Sequence, residues 1–403
     1  MAPGNYGFAM PALDGMRILD LTQYEAGPSA TQALAWLGAD VVKVERPDIG
    51  DPGRATGASP SGYFHHWNAN KRSVALELST PEGRKLLVDM LPGFDVMVEN
   101  MGPGVIEKLG LGYEEVRALH PSVIYASVKG FGSTGPYADY KCFDSVAMAM
   151  AGAFSVTGEL DGPPLPPGLT VGDSGTGMQL ALAITAAYVQ KLRTGEGQRI
   201  ELSMQEAVTY YLRTRIGVSG GWGEQPAPRT GRGRGALLDL YPCGPFGPND
   251  YIYLMAVTEG MWRAVPAAIG RPELLADERF TTNKGRMINA DALHEAIEAF
   301  TRTLTKHEAM AALAEAGVPC GAVLDTAELH RDAHLVARGF VHDVDIPGHG
   351  PAKMLGWPAR MSASSVPIVV APELGQHTAE VLGQELGLDP AVLEQLREQG
   401  IIG

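Results

Sequence analysis

The stretch from Met16 to Glu45 limits the possible folds of this chain most. MRILDL reads as a buried strand, Gly27-Pro28 opens a helical run through Trp36-Leu37-Gly38, and DVVKVE, from Asp40, is a second strand ended by Arg46-Pro47. Strand, helix and strand within about thirty residues make a βαβ unit. The pattern recurs: Ser73 to Leu78, Phe94 to Glu99, Val123 to Val128 and Gln198 to Ser203 read as strands. Helical runs lie between them, one starting at Ser79-Thr80-Pro81-Glu82 and one holding Glu114, Glu115 and Val116. Such alternation predicts an α/β fold with a parallel, doubly wound sheet. The stretch from Asp48 to Asn70, rich in Gly, Pro, Ser and Asn, is expected to be a long loop.

A chain of 403 residues exceeds what one core usually holds, so two domains are expected. Residues 1–216 form the first part of a large domain, and 217–235, with seven glycines in nineteen positions and Arg229, Arg232 and Arg234, form a glycine-rich linker or loop. Residues 236–325, with a strand at Tyr251 to Val257 and helices near Met261 to Ile269, Met287 to Phe300 and Lys306 to Glu315, form a smaller α+β domain. Residues 326–403, with elements of unassigned type at Val341 to Ile346 and Pro351 to Met361 and a helix at Thr378 to Leu386, are expected to return to the large domain.

Composition narrows the partners. With 45% hydrophobic and 19% charged residues the chain reads as globular, and a net charge of −14 argues against nucleic acid or an anionic membrane as partner. Cysteines 142, 243 and 320 have neither zinc-ligand nor redox spacing, and the first twenty residues lack the pattern of a signal peptide, so a cytoplasmic location is expected.

The stretch Gly168 to Met178 sets one acid, Asp173, among glycines at 172, 175 and 177, ahead of an apolar helix that ends at Thr194-Gly195. Unpaired N–H groups and the helix dipole favour an ionised carboxylate there and could hold an oxyanion on a reacting partner. Two readings stand: a helix cap, or a covalent nucleophile.

Other chemistries fit less well. Gly130-Phe-Gly-Ser-Thr-Gly135 spells a dinucleotide fingerprint, yet Pro136 follows at once and no apolar-faced helix comes next. There is no histidine from 121 to 293 to serve a nucleophilic serine, and no metal-ligand framework around His65-His66, so no metal is expected. Arg46, after a strand, and Asn70-Lys71-Arg72, at the end of the long loop, are expected where parallel sheets bind anions, and favour a phosphate-rich ligand; Arg54 and Lys129 read as solvated surface charge.

With these residues in view, Gly27-Pro28, Leu37 to Glu45, Asn70-Lys71-Arg72, Val98-Glu99-Asn100, Gly130-Phe131-Gly132 and Gly172-Asp173 together resemble the class III CoA-transferases, the formyl-CoA:oxalate and carnitine CoA-transferase family, over nearly the whole chain. The resemblance implies a large Rossmann-like domain built from both chain ends, a small middle domain and an interlocked homodimer. It also implies coenzyme A as part of an acyl-CoA substrate, a small carboxylic acid as acceptor, and Asp173 as the nucleophile that passes through a mixed anhydride and an aspartyl-CoA thioester. On the same basis Glu25, Ala26, Arg46, Asn68, Ala69, Asn70, Lys71, Asn100, Met101, Gly102, Lys108, Lys141, Cys142, Phe143 and Asp144 line the CoA site. Tyr24 and the loop Gly231, Arg232, Gly233, Arg234 and Gly235 serve the acid substrate, the loop covering the reacting aspartate. Where the oxalate-specific enzymes have glutamine this chain has Glu25, and it departs again at Lys108, at Phe143 and in the arginines of the loop, so a different acceptor is implied. The alternatives are an α-methylacyl-CoA racemase, whose histidine would be replaced by Lys141, and a non-catalytic acyl-CoA-binding protein.

Overall fold

Six strands form one parallel sheet: β1 (Arg17–Asp20), β2 (Asp40–Glu45), β3 (Arg72–Ala75), β4 (Val96–Glu99), β5 (Ile124–Lys129) and β6 (Gln198–Ser203), in the order β3-β2-β1-β4-β5-β6. The computed structural model describes residues 10–58 and 60–403. The alternation of side chains splits β1 and β2 between two cores. Ile18 and Val41 face the helices Ala26–Trp36 and Thr176–Thr194, whereas Leu19 and Val42 face a second core with Leu87, Val116, Val381 and Ile402. Helices thus cover both faces, as a sheet with buried, nearly continuous apolar strands requires.

Local signals account for the helix ends. Thr80 accepts from Gly83 N–H with Pro81 in the first turn, and Gly195, at φ 77°, closes the helix Thr176–Thr194 in the left-handed conformation. The expected loop from Asp48 to Asn70 is partly regular: Pro52–Ala55 is a 3-10 turn and Gly62–Asn68 an α-helix. Ser61 caps that helix by accepting from Phe64 N–H, and Phe64 and Asn68 are buried, so capping and burial override the polar composition. After β6 the helical run is interrupted at Leu212, between Met204–Tyr211 and Arg213–Val218.

The chain divides into two units. Of the described residues, one gathers those from 10 to 154, 166–225 and 336–403; the other gathers 155–165 and 226–335. In the first, the helix Thr378–Leu386 packs on β3, with Ala75 N–H donating to Thr378 Oγ1. In the second, β7 (Leu238–Pro242), which the sequence pattern had not shown, pairs antiparallel with β8 (Tyr251–Met255), and β8 with β9 (Cys320–Ala322). Helices Glu259–Ala268, Ala290–Thr301 and Lys306–Glu315 share the core of that sheet. A hairpin, β10 (Val341–Ile346) with β11 (Gly350–Leu355), belongs to the first unit; β11 stops short of the expected Met361. Among the described residues, no helix is long and apolar enough to cross a membrane.

Candidate active site

Strand order reverses between β1 and β4, and a crevice opens beyond the carboxyl ends of strands at such a point. A cavity of about 300 Å³ lies there, walled by Gln23 and Tyr24 after β1, Asn100 and Met101 after β4, and Lys129 and Gly130 at the end of β5. Asp173 lines it, as do Ala26, Gly102, Lys141, Cys142 and Phe143. Tyr24 and Phe143 meet edge to face with ring centroids 5.8 Å apart.

Asp173 sits in a single wide π turn, Val171–Gly175, that runs straight into the helix Thr176–Thr194. Asp144 caps this turn, its Oδ1 accepting from Asp173 N–H at 3.1 Å, while Ser174 N–H donates to Thr170 O at 2.8 Å. These N–H groups are therefore occupied, and the expectation that they remain unpaired for an oxyanion does not hold for Asp173 and Ser174. Gly172 is required by close approach, because a Cβ there would lie 2.6 Å from Asp144 O.

Three acids face one another at this point. Burial, together with Glu25 and Asp144, pushes the Asp173 carboxyl up to about 7. Burial likewise pushes Glu25 up to about 7, against the Thr170 hydroxyl, which donates to Glu25 Oε1 at 2.6 Å, and against Tyr63. Asp144 is raised by burial as well. Cys142 is pushed up to about 11 by burial and by Asp173, so its thiol stays protonated near neutrality.

The remaining expected CoA residues lie elsewhere. Lys71 is fully buried, and its ammonium donates to Asp20 Oδ2, Pro28 O and Asn68 Oδ1 at 2.9, 3.0 and 2.9 Å. With its donors used inside the fold, Lys71 presents no charge to a ligand in this arrangement. Asn68 and Ala69 are buried with it, and the Asn70 Oδ1 links a later segment to the first helix by accepting from Val369 N–H and from Trp36 Nε1. Arg46 pairs with Asp48 on the surface, and Lys108 is exposed; neither lines the cavity. Gly231 to Gly235 belong to the second unit, where Arg232 and Arg234 border a hollow with Leu238, Tyr253 and Met255.

Two readings of charge are corrected. Arg54 is not solvated: it forms a two-pronged bond to Glu45 at 2.7 Å and lies 3.7 Å from the centre of the Phe64 ring. Lys129 joins the cavity wall while donating to Glu99 Oε2 and Met101 O. Sequence reasoning also passed over Tyr63, Thr170, Gln23, Tyr140 and Met204, which carry no local signature. After β5, no helix begins before Asp144, consistent with setting aside the glycine-rich dinucleotide pattern.

The sequence model of CoA-transferase family III matches residues 13–378. The formyl-CoA:oxalate CoA-transferase of Streptomyces avermitilis is 41% identical, over 97% of this chain and 99% of that protein. The protein of the same name from Shigella sonnei is 37% identical over 97% and 99%. Among solved structures, a CAIB/BAIF family protein from Brucella suis superposes with a TM-score of 0.83 at 31% identity, covering 94% of this chain and all of that one.

Proposed function

Because the chain belongs to CoA-transferase family III, we propose that it moves CoA from an acyl-CoA to a carboxylic acid with Asp173 as the covalent relay. The observation that carries this reading is the place of Asp173: a carboxylate beside a helix start, opening into the cavity at the switch point of the sheet.

The Asp173 carboxylate attacks the acyl-CoA carbonyl, the carbon–sulfur bond breaks, and the CoA thiolate leaves a mixed anhydride behind. The thiolate then attacks the aspartyl carbonyl and expels the donor acid, giving an aspartyl-CoA thioester. The acceptor carboxylate attacks that thioester, a second anhydride forms, and the thiolate takes the new acyl group and frees Asp173. Each step exchanges one acyl bond between oxygen and sulfur, with no net oxidation or reduction, and a carboxylate suits the relay because its anhydride is a strong acyl donor.

Lys141 on the cavity wall and the exposed Arg46 and Lys108 supply cations for the phosphates of CoA. Tyr24, Met101, Val105 and Phe143 offer apolar surface to the pantetheine arm and the acyl group. The Gly231–Gly235 loop, with Arg232 and Arg234, serves the acceptor, and a homodimer is the working form. Formyl-CoA with oxalate is the first pair to assay, beside a panel of other carboxylic acids. Incubation with acyl-CoA followed by hydroxylamine is expected to leave a modified Asp173 peptide; full CoA exchange by Asp173→Ala would overturn the reading.

A further inference from the structure

The helix starts next to Glu25 and Asp173 are closely packed. Gly177, in the first turn of Thr176–Thr194, lies so near the start of Ala26–Trp36 that a Cβ there would stand 2.0 Å from Ser29 Oγ and 2.7 Å from Ala26 O. Each acid therefore sits at the positive end of a helix of eleven or more residues, Glu25 at the N-cap of one and Asp173 in the turn that opens the other. Glu25 is only 3% exposed and does not line the cavity; Thr170 Oγ1, three residues before Asp173, donates to it and Tyr63 is hydrogen-bonded to it. A second buried carboxyl that does not line the cavity is not needed to hold substrate. Its proximity, however, sets how many charges the pair can carry, since two close carboxyls in a poorly hydrated site do not both ionise readily.

We propose that Glu25 is a positioning residue for the transfer: its carboxyl competes with Asp173 for the single negative charge that the buried pair carries, and so sets the pH at which Asp173 becomes the ionised nucleophile that attacks acyl-CoA. The inference rests on the reading of Asp173 as nucleophile. In the attack, the pair's charge passes to the departing thiolate and the proton stays on Glu25; when the relay ends, the charge returns to Asp173. The groups that face the pair are Tyr63 and Thr170 against Glu25, Asp144 against both acids, and Cys142 against Asp173. Both carboxyls being raised to about 7 agrees with one shared proton near neutrality.

The test is the pH profile of kcat/KM, whose acid limb reports the free enzyme's essential base. Wild type should rise through about pH 7. Glu25→Gln, which keeps the shape and removes the charge, should move that limb about one pH unit toward acid, raising the fraction of plateau rate reached at pH 6 about fivefold. Tyr63→Phe removes a hydroxyl that favours ionised Glu25 and should move the limb the same way by less, which keeps the test open if Glu25→Gln does not fold. A limb that stays put in both variants overturns the proposal. Trapping with hydroxylamine separates the two ideas: an Asp173 adduct with an unmoved limb removes the role of Glu25 alone, whereas absence of an adduct in wild type removes the relay beneath it.

Discussion

The backbone N–H of Tyr24 donates to Asp51 Oδ1 at 3.0 Å, which ties the wall of the cavity to a buried ion pair, Asp51 with Lys43 at 2.8 Å. Tyr24 adopts φ 63°, a left-handed conformation that a bulky residue holds only when its surroundings enforce it. Asp51→Ala removes the acceptor and leaves Lys43 buried with one fewer counter-charge, so a loss of about 3–5 kcal/mol is expected in urea unfolding. Asp48→Ala, which breaks the exposed pair with Arg46, should stay within about 1 kcal/mol. Equal losses in the two variants would contradict this account.

Stability should also record the raised acids. Asp173 and Glu25 lie above their ordinary values in the fold, so the protonated forms are favoured there. Their contribution is fully present below the unfolded carboxylate range and is lost as pH rises through about 7. Asp173→Asn is therefore expected to melt at a higher temperature than wild type at pH 8, with the gap narrowing at pH 5. Melting curves at the two pH values check this, and a gap that widens at pH 5 would count against it.

Cys142 lies on the cavity wall yet should be a poor nucleophile, because burial and Asp173 hold its thiol up at about 11. Iodoacetamide at pH 8 should label it slowly, and Asp173→Asn should speed labelling by removing a negative charge. Peptide mass spectrometry of timed samples decides it; rapid labelling of wild type would be the contrary result.

The contact at Gly177 makes a packing prediction. Gly177→Ala drives a methyl into Ser29 Oγ and Ala26 O, and overpacking of this kind costs about 1–3 kcal/mol. Transfer activity should fall as well, since the two helix starts must separate. Adding Ser29→Ala removes one of the two clashes and should recover part of the stability in thermal melts, leaving the Ala26 carbonyl as the remainder.

An acceptor prediction concerns the second unit. Arg232 is more than half exposed and only loosely paired with Asp239 at 3.4 Å, so its guanidinium is free to turn to a ligand. Arg232→Ala/Arg234→Ala should lower transfer to dicarboxylic acceptors more than to monocarboxylic ones. An equal loss for both acid classes, read from initial rates, would sink the role of these arginines.

What could be read from the residues followed their physics. β2 was legible to the residue because DVVKVE is an apolar run with polar ends, and Asp173 stood out because glycines precede an apolar helix. β7 was missed because Leu238 to Pro242 is short and holds a proline at its edge, features that sequence alone reads as a loop. Burial of charge was the larger obstacle. Lys43, Lys71, Asp20 and Asp51 look like any surface ions in a sequence, and only their mutual pairing in three dimensions allows them inside. Thr170 and Glu25 stand 145 positions apart, so no local pattern could have joined them.

The first unit is assembled from three stretches of chain, and part of one face of its sheet is closed by Val381, Leu382, Ile401 and Ile402. During synthesis, Leu19, Val42 and Val74 emerge hundreds of residues before these partners and wait with apolar surface uncovered. The intervening unit has all its strands and core helices by residue 335 and can condense first on the ribosome. The nascent protein therefore leaves part of its amino-terminal sheet uncovered until residues 381–402 have been made.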